Sequence, residues 1–560
     1  MARYPLYVEI ADDGRCMAHV LDLPGCIVRA PSLDEAMRQL PDAIRNHHLW
    51  LRRHGEPAPP DSESIEIEIA GKSVGFGPFD PGNAAALFPP DRETLTPEGM
   101  EAYFRLMSHA RADLLALVRD LPDDVLDWQA DPRSFSIRSL LRHVGNAEEW
   151  YVSRLVPPET LPPEWEHDKD LPIFEFLEME RRTARARLRQ LTAHERSAVF
   201  YPTHWTDHPD EPWTARKALR RFLEHEREHT AQGRVILAAW RCQLLGSLAA
   251  ERAELLWQLI GLEERALTES PVFDDWTAKN LLAHIAAWDE LFTERIELIL
   301  AGREEEIAGV EPDARNAVLH AERKDWSLKR AVKACVTARA DALAALARLP
   351  DEQLHRLRSF RWGEASARLW TEWRARHDAA HAADLTAWRK AQSLERRTRP
   401  KSGPKAVLLA TLAAARDELL AAAALVAPEE RASRPVCGTW TLKDVLGHVA
   451  DWELWFVKGL RQLVAGQPLD FEDVKDVEAW NRAHAKARRD LPWETVWDDF
   501  RETHEALMSI LVAMSQADLK WAFMDMTVYD MSCIYVDHDR EHARGLRDAI
   551  GAEHDEARDS

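Results

Sequence analysis

The chain has 560 residues, 30% charged and 46% hydrophobic, a mixture that builds ordinary globular cores and has room for about three to five domains. A formal charge of −22 disfavours phosphate backbones and anionic bilayers, so neither nucleic acid nor membrane is an expected partner. The six cysteines are scattered without a C-x-x-C, no signal peptide is visible, and the most apolar run (406–427) is broken by Arg416, Asp417 and Glu418, all of which fits a soluble cytoplasmic protein.

Residues 1–70 read as a small α+β domain. Residues 4–10 (YPLYVEI) alternate like a strand, Asp13-Gly14 is a hairpin turn, and 16–21 return as its partner. Pro24-Gly25 turns into a third strand at 27–30. Ser32 and Glu35 form a capping box for a helix running to about His54, with Gly55 as its stop and Pro41 expected to bend or break it. SIEIEI (64–69) reads as one more strand. The succession YPLYVEIADDGRCMAHVLDLPGC, SLDEAMRQLPDAI, GEPAPP resembles the HicB-like antitoxin domain. That resemblance implies an antitoxin that blocks a small RNase toxin, or a module that docks another protein partner. The DNA-binding segment that follows the domain in many members is not recognisable here.

Residues 71–93 are rich in Gly and Pro and read as a linker. Thr96 then caps a helix with Pro97 in its first position, and the remainder is helical in pattern. Four amphipathic segments recur three times, near 97–120, 136–155, 173–192 and 214–240; 246–268, 277–301, 326–348 and 369–392; and 404–426, 441–465, 493–514 and 528–550. The expected fold is therefore mainly α, with the small N-terminal domain followed by three antiparallel four-helix bundles at 94–243, 244–395 and 405–555. Residues 393–404 are the one clear linker between them.

Each repeat places one histidine inside the apolar stripe of its second helix and an H-x-x-x-H pair on its fourth. In WTLKDVLGHVADWELWF, Trp440 and Thr441 open the helix, and His448 sits between Val445 and Trp452. Its pair is His538 and His542. The other sets are His284 with His377 and His381, and His143 with His225 and His229. Residues four apart share a helix face, so each trio points into one interior. Burying three imidazoles without partners costs several kcal/mol (~1–3 per unmet group), a cost that a divalent metal removes. His204 and His208 have the same spacing but lie in a Pro- and Asp-rich loop, and are set aside. Three protein ligands leave a coordination position open for water or substrate.

The pattern [LV]-L-x-H-[IV] followed by H-x-x-x-H resembles the DinB/YfiT-like family over most of the chain. Repeats two and three add Trp288 and Trp452 four residues after the first histidine, where repeat one has Ala147. The resemblance implies up-down-down-up bundles, a three-histidine site for Zn, Ni or Fe, and activities such as metal-dependent hydrolysis, maleylpyruvate isomerisation or transfer of a low-molecular-weight thiol. Glu148, Asp289 and Glu453, and Glu226, Asp378 and Asp539, recur beside the histidines, either orienting them or lying on solvated positions. Ala380 and Arg376 in the middle repeat replace acidic residues of the others, so the three sites are expected to be unequal, with the middle one weaker or mainly structural. The function expected is metal-dependent hydrolysis or thiol transfer on a small electrophile, the alternative being a binding protein without turnover.

Overall fold

Alternating apolar residues and two tight turns fold the N-terminus into a four-stranded sheet. Its elements are β1 (Ala2–Ala11), β2 (Cys16–Val20), β3 (Cys26–Ala30), α1 (Leu33–Arg53) and β4 (Ile65–Phe76). The strand order is β3-β2-β1-β4, with β4 parallel to β1. This computed structural model describes residues 2–60, 64–76, 84–130, 133–394, 402–470 and 474–559.

Three local expectations change. The helix α1 continues through Pro41 unbroken. The strand β4 runs on to Phe76, into the stretch read as linker, because a register shift at Gly71 seats the backbone against the Tyr7 ring. After residues 77–83, which lie outside the described residues, Ala86, Phe88 and Asp91 are buried. The 393–404 linker falls mostly outside the described residues as well.

A strand alternating in sequence ordinarily buries one face. Here Leu6, Tyr7, Val8 and Glu9 of β1 are all buried. One continuous core joins Leu6, Val8, Ile44 and Trp50 of the N-terminal domain to Phe104, Tyr151, Phe222 and Leu223 of the first helical bundle. Polar contacts follow the same seam. The Trp50 indole donates to Asp113, Arg105 and His109 meet Glu56, and Arg29 reaches Glu228. Gly25 (φ +84°) brings its backbone onto Leu223 and Arg227, so closely that a Cβ there would sit 2.9 Å from each.

The bundle helices are α2 (Pro97–Val118), α3 (Ile137–Ser153), α4 (Ile173–Arg189) and α5 (Ala215–Trp257). They continue with α6 (Ala278–Leu300), α7 (Leu328–Arg348), α8 (Ala367–Ala391), α9 (Lys405–Ala423), α10 (Leu442–Val464), α11 (Trp493–Ala513) and α12 (Val528–Asp559). Two helices expected near 214–240 and 246–268 are one, α5, which ends the first bundle and begins the second. Its Ala- and Leu-rich sequence tolerates Gly246, since one glycine costs only about 1 kcal/mol in a helix. By contact the chain forms two compact units, Met1–Ala130 with Ser134–Ile236, and Leu237–Ser560.

Side-chain contacts fix the helix directions. In the third bundle Arg416 meets Asp539 and Arg547 meets Glu418, so first and fourth helices run side by side near those acids. Lys405 bonds Val512 while Arg416 bonds Phe500, which makes the first helix antiparallel to the third. The same cross-bonding recurs as Arg111 to Leu177 with Arg181 to Met107, and as Arg252 to Cys335 with Arg339 to Leu248. Asp289 meets Arg339 as Glu297 meets Arg348, so second and third helices ascend together. The bundles are thus up-down-down-up, antiparallel between pairs and parallel within them. Among the described residues no helix is long and apolar enough to cross a membrane.

Candidate metal centres

The second helix of each bundle is aimed by its start. A serine or threonine N-cap accepts from the third backbone N–H, and the residue there caps back: Ser136 with Ser139, Thr277 with Asn280, Thr441 with Asp444. Thr441 opens the helix as its N-cap, as expected, and with Trp440 it also forms a two-residue strand against Pro435–Cys437. Two turns into each helix comes the histidine, with the preceding aromatic edge or face on its ring: Phe135 at 5.6 Å, Trp276 at 5.3 Å and Trp440 at 5.1 Å.

All nine histidines reach the trios expected of them. In the first, His225 Nε2 lies 3.0 Å from both His143 Nε2 and His229 Nε2. In the third, His538 Nε2 is 2.9 Å from His448 Nε2 and 3.0 Å from His542 Nε2. In the second, His284 Nε2 and His377 Nε2 are 3.0 Å apart, and His381 stands with its ring centroid 4.5 Å from that of His377. Burial pushes His143 and His448 down to about 4 and His284 to about 3. The remaining six are lowered for the same reason, so the rings are neutral near pH 7.

Neutral rings with converging Nε2 atoms present lone pairs to one point. Zinc–imidazole bonds of about 2.0–2.1 Å place tetrahedral nitrogens roughly 3.3 Å apart, close to the observed separations. In the first trio Gln232 Oε1 stands 2.7 Å from His229 Nδ1, where it accepts that N–H and leaves the Nε2 lone pair facing inward. The first and third trios fit a divalent ion. The second departs from them at Arg374, whose guanidinium lies 3.1 Å from His377 Nδ1.

The flanking carboxylates neither bond the histidines nor face solvent. They form a buried layer of ion pairs. Glu148 and Glu226 are clamped by Arg111 and Arg181, and Asp289 and Asp378 by Arg252 and Arg339. Glu453 and Asp539 share Arg416, and His504 takes the place of the second arginine, 2.9 Å from Glu453. Glu453, His504 and Asp539 are close enough to bridge an ion, but the Arg416 guanidinium is 2.7 Å from Glu453 and 2.8 Å from Asp539. The sequence signal for these arginines is their recurrence in the apolar stripe of the first helix of each repeat (Arg111, Arg252, Arg416) and of the third helix of the first two (Arg181, Arg339).

A 480 Å³ cavity opens on the first trio. Its walls are aromatic (Phe135, Trp150, Tyr151, Trp213), with Arg221 from α5 and Met17 and Arg29 from the sheet. The same lining includes Ala147, at the position where the other repeats carry Trp288 and Trp452. Those two indoles donate to Asn316 and Asn481. His204 stays in its loop, as expected, with its carbonyl accepting from Arg154.

Up-down-down-up bundles, each with one inward histidine on the second helix and two on the fourth, define a class of helical proteins built around three-imidazole sites. Residues 106–232, 247–385 and 411–545 each match the sequence model of the DinB superfamily, and the chain belongs to that superfamily. No curated protein and no solved structure matches the chain.

Proposed function

We propose that the first and third trios each hold one divalent metal ion (Zn, Ni or Fe), and that the first site turns over a small electrophilic substrate by hydrolysis or by transfer of a low-molecular-weight thiol. The observation that carries this reading is the convergence of three neutral imidazoles, with His225 Nε2 3.0 Å from the Nε2 atoms of both His143 and His229, beside a cavity of 480 Å³. That volume is in the range of small-molecule sites, about 300–1,000 Å³. A divalent ion with three protein ligands supplies an open position at which water or a thiol loses its proton more readily.

The residues of this chain supply the remainder. Phe135, Trp150, Tyr151 and Trp213 exclude bulk water and offer stacking surface to the body of the substrate. Arg221 and Arg29 place two guanidinium groups on the wall, where Glu224 and Glu228 pair with them, and Glu9 lines the same cavity. Gln232 holds the proton on His229 Nδ1.

The N-terminal domain enters this reading as part of the site. Its sequence resembles the HicB-like domain, but a sheet that shares a core with the bundle supports a wall rather than a toxin-blocking surface. The test is to saturate the full chain with zinc or nickel and follow thiol consumption with a generic electrophile, against His225→Ala. Turnover that His225→Ala abolishes is expected. Stoichiometric metal with no turnover across thiols and esters would leave a binding protein.

A further inference from the structure

The three trios differ in what faces the outer nitrogen of the first histidine of each pair. An imidazole that binds metal through Nε2 must carry its proton on Nδ1, and a metal-binding histidine ordinarily donates that N–H to an oxygen. Guanidinium groups only donate. Arg374 donates from Nη1 to His377 Nδ1 at 3.1 Å, so that nitrogen holds a lone pair and the ring proton sits on Nε2. From there it points at His284 Nε2, 3.0 Å away, and the contact between the two rings is an ordinary hydrogen bond.

Arg374 is not free to swing aside. It is 1% exposed, donates from Nε to Asp289 at 2.8 Å, and points Nη2 at the Ile285 carbonyl. The corresponding residues, three before His225 and His538, are Phe222 and Tyr535. Phe222 has no donor, and the Tyr535 hydroxyl donates to the Trp452 carbonyl.

Charge points the same way. The buried layer of the first bundle sets two arginines (Arg111, Arg181) against two carboxylates. That of the third sets one arginine, with His504, against two. In the second, the three arginines Arg252, Arg339 and Arg374 pair with two carboxylates, Asp289 and Asp378. The second bundle thus carries one fixed cation more than its two carboxylates balance, directly behind the trio, which disfavours a further divalent charge there.

We infer that the middle trio is a metal-free copy, closed by the hydrogen bond from Arg374 to His377, and that the chain binds two metal ions. This rests on the metal reading of the flanking trios. The experiment is to saturate the full chain with zinc, remove the excess, and count zinc per chain by elemental analysis. The wild-type chain is expected to hold two ions, His377→Ala two, and His225→Ala and His538→Ala one each. Arg374→Phe, which restores the residue type of the first bundle, is expected to raise the count to three.

Three ions in the wild type, one of them lost in His377→Ala, would overturn the inference whatever becomes of the Arg374 variant. No zinc in any form would instead overturn the metal reading of the flanking trios, and this contrast with it. Cobalt(II) substitution gives an independent readout, since two tetrahedral d–d signatures, rather than three, are expected.

Discussion

Replacing Arg181 by alanine tests whether the carboxylates beside the histidines belong to the fold. Arg181 donates to both oxygens of Glu148 (3.0, 3.0 and 2.8 Å), to Glu226 (2.8 Å) and to the Met107 carbonyl (2.9 Å). Burial pushes the Glu226 carboxyl up, but Arg111 and Arg181 outweigh it and hold it below its ordinary value of 4.5. Without Arg181, two carboxylates face Arg111 alone, and one of them is expected to take up a proton.

Protonating a carboxyl of ordinary value 4.5 costs about 3.4 kcal/mol at pH 7 and about 0.7 kcal/mol at pH 5. The first figure agrees with the roughly 3–5 kcal/mol lost when one partner of a buried pair is removed. The sign is set by the folded state. Between pH 5 and pH 7 the wild type, whose carboxyl is held below 4.5, is nearly level, whereas the variant's protonated carboxyl loses stability as pH rises above 4.5, so the deficit grows from pH 5 to pH 7. A chain of several bundles need not unfold in one step, so the assay is hydrogen exchange read on peptides from 97–118 and 173–189, in chelator. A deficit under about 1 kcal/mol at pH 7, or one larger at pH 5 than at pH 7, would refute the reasoning. Pairing Arg181→Met with Glu148→Gln should recover most of the loss.

Other outcomes follow from single sites. Both oxygens of Glu180 are buried without a hydrogen-bond partner among the described residues, and burial, with Glu148 and Asp168 nearby, raises its carboxyl to about 9. Its stability contribution is lost as pH rises from 4.5 towards 9, so Glu180→Gln should stabilise the first unit at pH 8, on the order of a few kcal/mol, and leave pH 4.5 unchanged in exchange measurements. Gly25→Ala should cost about 1–3 kcal/mol, because φ is +84° and the new Cβ meets Leu223 and Arg227; an unchanged melting curve would count against the shared core. Zinc at a hundredfold excess over its Kd should protect the α9–α12 bundle by about 2.7 kcal/mol, and His538→Ala or EDTA should remove that protection there while leaving the first bundle's intact.

The sequence by itself determined the helices, the threefold repeat and the nine histidines. Each of these rests on local periodicity: an imidazole four residues from its partner, inside an apolar stripe, has one direction to point. It also marked Ala147 as the odd position among the tryptophans, without showing that the missing indole leaves a cavity. What lies across a helix from a given side chain is not a local property. The burial of β1 on both faces, the seam that makes the sheet a wall of the first site, and the arginine layer under each trio appear only when distant segments meet. Arg374 belongs with them. It stands three residues before His377 in plain view, yet whether a long cationic side chain turns outward to water or inward to a ring nitrogen depends on an acid 85 residues away, Asp289, which holds it inside.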